Sequence, residues 1–173
     1  MPPTTIAILG AKGGVGTSLF SANLAIYLAT IGKGVIAVDA DPSGADLHAM
    51  LGMSPRIAPY VAPTPAFGTE RSLASLVTAL DHDAANTLPL REPVEGPIPS
   101  LRLMDGGLSE PHRGSARRSS LRELESRLSK QDADFAVVDL GSAATDAAIR
   151  FWCAADHRLA LTMPEPNAVS GLY

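Results

Sequence analysis

Short apolar runs alternate along this chain with segments whose apolar residues recur at helical spacing. The runs lie at residues 4–9, 35–38, 101–104, 135–138 and 158–163. The first two runs read as buried strands, apolar on both faces, as is typical of parallel strands covered by helices on both sides of a sheet. The pattern predicts a three-layer α/β fold with a mostly parallel sheet, in one domain of 173 residues.

The helical segments are marked by apolar residues three and four positions apart. After the first strand, this spacing joins Phe20, Leu24, Tyr27, Leu28 and Ile31. Glycines at positions 32 and 34 mark the end of this helix. The same kind of spacing predicts further helices at residues 72–80, 121–130 and 143–155.

Two Pro-rich segments, residues 53–70 and 88–100, interrupt the alternation of strands and helices. Proline lacks a backbone donor and disfavours helix in the residue before it. We therefore expect both segments to be surface loops of the domain.

The composition narrows the class of protein. With 46% hydrophobic and 18% charged residues, the chain is a core-forming soluble domain. Its formal net charge of −4 gives no direct nucleic-acid signal, and its single cysteine, Cys153, suits a reducing compartment. No apolar stretch approaches the roughly 20 residues that span a bilayer, and no membrane-targeting helix is visible. These features predict a cytoplasmic protein.

A Gly-rich stretch lies between the first strand and the first helix. Glycines allow backbone amides to converge on one point, and the first turn of a helix adds unpaired amides with partial positive charge. The general phosphate-loop pattern is G-x-x-x-x-G-K-[ST]. Here Gly16 and Ser18 fit it, whereas Ala11 replaces the first glycine and Thr17 replaces the lysine. Another lysine, Lys12, lies inside the loop.

This stretch resembles the deviant Walker A loop of the MinD/ParA/FlhG family of dimeric ATPases, which reads K-G-G-x-G-K-[ST]. The chain differs from that pattern at one position, Thr17. The resemblance implies a P-loop NTPase fold, ATP or ADP with Mg²⁺, and a metal contact from Ser18. It also implies that Lys12 reaches the nucleotide of a partner subunit across a homodimer. The implied phosphate-binding residues are Lys12, Gly13, Gly14, Val15, Gly16, Thr17 and Ser18.

Two apolar strands end in aspartates. The second strand leads into Asp39 and Asp41, and residues 135–138 lead into Asp139. Carboxylates at the carboxyl ends of parallel strands lie on the ligand-binding edge of an α/β sheet. Asp139 fits the Walker B arrangement, in which a carboxylate holds Mg²⁺ or its water opposite the loop Ser or Thr. By the family resemblance, Asp41 orients the attacking water and Asp39 supports the magnesium shell.

Thr17 leaves the activity of the site open. A charge pair near 4 Å is worth about 1 kcal/mol in water and about 4 kcal/mol in a partly desolvated site. Losing the lysine is therefore expected to weaken nucleotide binding by roughly tenfold to a thousandfold. One interpretation is an ATP-binding switch that positions cellular structures and hydrolyses ATP weakly or not at all. The other is a pseudo-ATPase scaffold or interaction module, and a regulatory protein partner is compatible with both.

The last segment extends the resemblance and predicts an exposed surface. The strand at residues 158–163 is followed by Pro164-Glu165-Pro166, which family members often have before a helix. Family domains continue with more strands and helices, so we expect a C-terminally truncated domain. Such a domain is predicted to expose a sheet edge or a helix-bare face.

Overall fold

The computed structural model describes residues 1–41, 47–53, 93–106, 116–142 and 145–170. Most of the first predicted Pro-rich loop, the predicted helix at residues 72–80 and the start of the second predicted loop lie outside these ranges. The described residues belong to one compact unit, formed by residues 1–53 and 90–173.

A mostly parallel sheet organises this unit, as the apolar runs predict. The described strands are β1 (Thr4–Gly10), β2 (Val35–Asp39), β3 (Val94–Glu95), β4 (Leu101–Asp105), β5 (Phe135–Asp139) and β6 (His157–Leu161). Their order across the sheet is β3-β4-β2-β5-β1-β6, and only the β3–β4 pairing is antiparallel. The three strands β2, β5 and β1 are therefore adjacent. They lead into the Gly-rich loop and into the predicted carboxylates.

Helices cover both faces of the sheet. The described helices are α1 (Thr17–Thr30), α2 (Leu47–Met50), α3 (Ala116–Leu128), α4 (Asp146–Ala154) and α5 (Pro166–Ser170). Alternating residues of β5 enter two separate cores. Val137 packs with α1 and α2 residues, while Ala136 and Val138 pack with α3 and α4 residues. This gives the predicted three layers.

The first helix has the predicted span, and Leu24 and Leu28 are half-buried against the core, but the other predicted apolar residues lie outside its buried face. Phe20, Tyr27 and Ile31 are 42%, 60% and 53% exposed. The buried face consists of small residues: Thr17, Ser21, Ala22, Ala25 and Ala29. Small side chains let a helix lie close to a sheet. Because this helix has apolar residues on all sides, the spacing of those residues does not show which face is buried.

The two edge strands of the sheet, β3 and β6, differ from each other in how far the sequence predicts them. The two-residue strand Val94–Glu95 lies inside the second predicted Pro-rich loop and pairs with β4. At the opposite edge, the residues of β6 are exposed except for the half-buried Leu161.

Among the described residues, no helix is both long enough and apolar enough to cross a membrane.

Candidate functional site

The Gly-rich loop is tied to the carboxyl end of the sheet. Gly10 donates its amide to the Gly141 carbonyl at 2.8 Å, and Ala11 donates to the Leu161 carbonyl at 2.8 Å. Gly14 and Gly16 have φ angles of 83° and 90°, which non-glycine residues rarely adopt. These bonds and angles turn the chain sharply from β1 into α1.

The loop ends at a helix N-terminus with no side-chain cap. Gly16 is the N-cap of α1, and no side chain bonds to the first-turn amides from that position. Side-chain oxygens usually cap such amides, and an anion can take the same place. The loop and the start of α1 thus present backbone donors on one side of the sheet edge.

Thr17 and Ser18 begin this helix in different surroundings. Thr17 is 6% exposed and packs toward Gly10. A Cβ atom added at Gly10 would overlap the Thr17 hydroxyl and come within 2.9 Å of the Val15 Cγ2 atom. The threonine therefore fills the space beneath the loop. Ser18 is half-buried and its hydroxyl interacts with Asp139.

A row of carboxylates ends three adjacent strands opposite the loop. Asp39 is in register with Asp139 on one side and with Asp105 on the other. We call Asp105, Asp39 and Asp139 the carboxylate row. Asp105 was not among the sequence-predicted site residues, although it follows the same pattern of an apolar strand ending in aspartate.

Asp39 occupies the middle of the row and is 7% exposed. Its Oδ2 atom accepts a hydrogen bond from the Leu47 amide at 2.9 Å. Burial raises the pKa of Asp39 to about 7, and the charges of Asp139 and Asp105 act in the same direction. The Leu47 amide opposes this shift because it stabilises the ionised form.

Asp139 is 1% exposed and only partly satisfied. Its Oδ1 atom accepts from the Gly141 amide at 3.0 Å, whereas Oδ2 is buried without a hydrogen-bond partner among the described residues. Burial raises the pKa of Asp139, and the Asp41 charge adds to that effect. Hydrogen bonding to the Ser18 hydroxyl and the Gly141 amide opposes it.

Asp41 lies against the turn that follows β5. Gly141 has a φ of 64°, and a Cβ atom added there would overlap the Asp41 carboxylate. The aspartate from the β2 end and the Gly141 turn thus meet directly. Because Gly141 also bonds to Gly10 and Asp139, it links the loop, the row and Asp41.

The oxygen atoms in this region fit Mg²⁺ only if other ligands complete its shell. No group of three or more His, Cys, Asp or Glu side chains in the described part of the chain is arranged to hold a metal ion. Mg²⁺ is usually held by one or two carboxylates together with water and phosphate oxygens. Asp139, which interacts with Ser18 and has an unpartnered Oδ2 atom, is compatible with that kind of shared site.

Lys12 forms an ion pair with a residue that follows β6, the edge strand next to β1. Its Nζ atom lies 3.2 Å from Oε2 of Glu165, and both side chains are about half-exposed. Glu165 directly precedes α5 and lies 153 positions away in the sequence. Local sequence patterns do not predict this pairing, because Glu165 is notable there only as part of a Pro-Glu-Pro segment.

A separate cavity of about 240 Å³ lies at the other ends of the strands. It is lined by residues that include Pro3, Leu128, Phe151 and Asp156. Asp156 bonds to Thr5 near the start of β1, so this cavity is distant from the loop at the end of that strand.

Comparison with known proteins identifies the lineage of this architecture. Residues 3–172 match the family described as ParA: NUBPL iron-transfer P-loop NTPase. The chain belongs to this ParA family. The match spans the loop, the carboxylate row and the helices that carry them, so the ParA-family P-loop NTPase fold covers the described unit.

Relatives and solved structures agree with this ParA-family assignment. The antiactivator FleN of Pseudomonas aeruginosa is 27% identical over 175 residues, covering 99% of this chain and 55% of FleN. The MinD of Pyrococcus horikoshii, solved with Mg-ADP, superimposes with a TM-score of 0.61 at 19% identity. A Cyanothece McdA–ATP complex gives a TM-score of 0.63 at 22% identity.

The chain spans part of these proteins. The MinD match covers 98% of this chain and 61% of MinD, and the McdA match covers 99% and 60%. At these identities the two structures support the fold alone.

Proposed function

We propose that this domain binds ATP with Mg²⁺ at residues 12–18 and acts as a nucleotide switch in the spatial organisation of the cell. The observation that carries the proposal is the buried, half-satisfied Asp139 carboxylate beside Ser18, at the foot of the glycine loop. An unpaired buried carboxylate oxygen is costly. A hydrated Mg²⁺ shared with phosphate oxygens would satisfy it.

Each part of the site has a distinct role in this proposal. The loop amides and the α1 N-terminus bind the phosphates, while Ser18 and Asp139 hold the ion or its water, with Asp39 supporting that shell. Bound Mg²⁺ supplies positive charge against the negative charge that builds up during phosphoryl transfer. Asp41, which contacts the Gly141 turn, orients the attacking water.

We further propose that hydrolysis is weakened because Thr17 brings no charge to the phosphates. Its hydroxyl packs toward Gly10 beneath the loop, so it does not replace the missing ammonium. Backbone amides and the ion remain as the anion-binding groups. Binding is therefore retained more readily than turnover, because the missing charge matters most as the bond breaks.

A second candidate is a scaffold that keeps the fold and binds nucleotide negligibly. The close packing of Thr17 with Gly10 favours it, since the threonine is nearly inaccessible at 6% exposure. We do not extend the proposal to iron transfer, which the family description includes. Cluster sites usually use several thiolates, and this sequence has one cysteine.

Thr17→Lys separates the two candidates. If the site is a nucleotide pocket that lacks its main charge, the variant should raise magnesium-ATP affinity at least about tenfold, which corresponds to about 1.4 kcal/mol. Equilibrium titration with a fluorescent ATP analogue measures this change. A second variant, Thr17→Lys with Asp41→Ala, should bind ATP without restoring turnover.

Thr17→Met is the matched control, because it adds length without charge. It should leave magnesium-ATP affinity unchanged or lower it. If Thr17→Lys fails to tighten binding in a folded protein, the scaffold candidate replaces the nucleotide switch.

A further inference from the structure

The Pro-Glu-Pro segment has no role in the proposed phosphate chemistry, yet it contacts the loop. Glu165 donates its amide to the Met163 carbonyl at 2.7 Å, and its own carbonyl accepts from Val169 at 3.0 Å. Proline on each side restricts the backbone further. The carboxylate of Glu165 is therefore held by a backbone with few alternative conformations.

The loop is anchored close to this segment. Ala11 is bonded to Leu161 at the end of β6, and the next residue, Lys12, forms the ion pair with Glu165 at 3.2 Å. Backbone pairing thus brings the two charges together across 153 positions of sequence.

We propose that Glu165 is a positioning residue that holds Lys12 away from phosphate and competes with nucleotide for its ammonium. This inference rests on the proposed function, because it assumes that Lys12 acts on a nucleotide. Both side chains are about half-exposed, so the pair is weak and readily broken. A phosphate chain carries more negative charge than one carboxylate and can displace it.

The competition predicts that loss of the Glu165 charge tightens nucleotide binding. Glu165→Gln keeps the shape of the side chain and should raise magnesium-ATP affinity by roughly two- to fivefold, the range that exposed ion pairs allow. Glu95→Gln is the matched control, because it removes an exposed carboxylate from the opposite edge of the sheet. It should leave affinity unchanged.

A Lys12→Ala background distinguishes competition from general repulsion between Glu165 and phosphate. If Glu165 acts by holding Lys12, Glu165→Gln should gain nothing once Lys12 is absent. If Glu165 only repels phosphate, the gain should persist or grow in that background. The second result would overturn the proposal, as would a Glu165→Gln variant whose affinity equals that of the Glu95→Gln control.

Zero-length carbodiimide crosslinking tests the contact itself. Lys12 and Glu165 should form an amide within one chain, identified by mass spectrometry, and magnesium-ATP should suppress it. No crosslink, or one that persists while a separate titration shows bound ATP, overturns the competition and leaves the proposed function standing. A titration that shows no ATP binding overturns both, so the two failures are distinguishable.

Discussion

The glycine loop and the carboxylate row face the same edge of the sheet but differ in charge. On the loop side, Thr17 occupies the position where the phosphate-loop pattern has a lysine, and Lys12 is paired with Glu165. On the row side, Asp39 and Asp139 are buried beside each other, and burial raises the pKa of both. The loop thus presents backbone amides with partial positive charge, whereas the row presents carboxylates whose ionised forms are disfavoured by burial.

This difference indicates what binding of a polyphosphate would require. Phosphate would add more negative charge beside carboxylates whose ionised forms are already disfavoured. The general phosphate-loop pattern places a lysine here that would offset part of that charge, whereas this chain has Thr17. Here the loop amides, a divalent cation and Lys12 once it is released from Glu165 would share that compensation, so we expect ATP binding to depend strongly on Mg²⁺.

The largest expected effect comes from removing a charge in the middle of the row. The pKa of Asp39 is raised from 3.8 to about 7. Between these values the folded protein holds a proton that the unfolded chain has released, so the free energy of unfolding falls as pH rises through this window. Asp39→Asn should therefore stabilise the protein above pH 7, by up to about 4 kcal/mol, and have little effect near pH 4.

Chemical denaturation of Asp39→Asn and wild type across that pH range measures the effect. Asp156→Asn provides a control of opposite sign, because hydrogen bonds from Thr5 lower the pKa of Asp156. It should slightly destabilise the protein at neutral pH. An Asp39→Asn effect that is the same at pH 4 and pH 8 would show that Asp39 is not buried as described.

Substitutions in the glycine loop should change the free energy of unfolding through packing, with no dependence on pH. Gly10→Ala places a Cβ atom against the Thr17 hydroxyl and Val15, and overpacking of this kind typically costs about 1–3 kcal/mol. Gly13→Ala is the matched change, since its nearest contact would be the Ser142 hydroxyl at 3.6 Å, an ordinary distance. Denaturation followed by Trp152 fluorescence should show a loss of stability for Gly10→Ala only. Equal stability of both variants would contradict the loop packing.

Local patterns were sufficient to predict the framework and the strand ends that carry the candidate site residues. The sheet brings together the strands that end at Gly10, Asp39 and Asp139, as their apolar runs predicted. Those runs are short and continuous, and each is followed directly by its glycine or aspartate. When an apolar strand ends in a polar residue, the local sequence is enough to predict that this residue lies at the carboxyl edge of the sheet.

Features that depend on distant contacts were not predictable in this way. The Lys12–Glu165 pair joins residues 153 positions apart, and the buried face of α1 depends on how closely the helix approaches the sheet. Asp105 is a different case, because an apolar strand ending in aspartate is visible there in the sequence itself. Sequence periodicity also could not decide between the small and the large apolar residues of α1, since both recur at helical spacing.

The central claim is that Mg²⁺ supplies the charge which the loop lacks, and one measurement tests it most directly. The affinity of the wild-type domain for ATP is titrated with Mg²⁺ and again with EDTA, alongside Ser18→Ala as a variant that loses the hydroxyl beside Asp139. We predict that ATP binds at least about tenfold more tightly with Mg²⁺, and that Ser18→Ala reduces this ratio. Equal affinity with and without Mg²⁺, or no binding in either condition, would contradict the account.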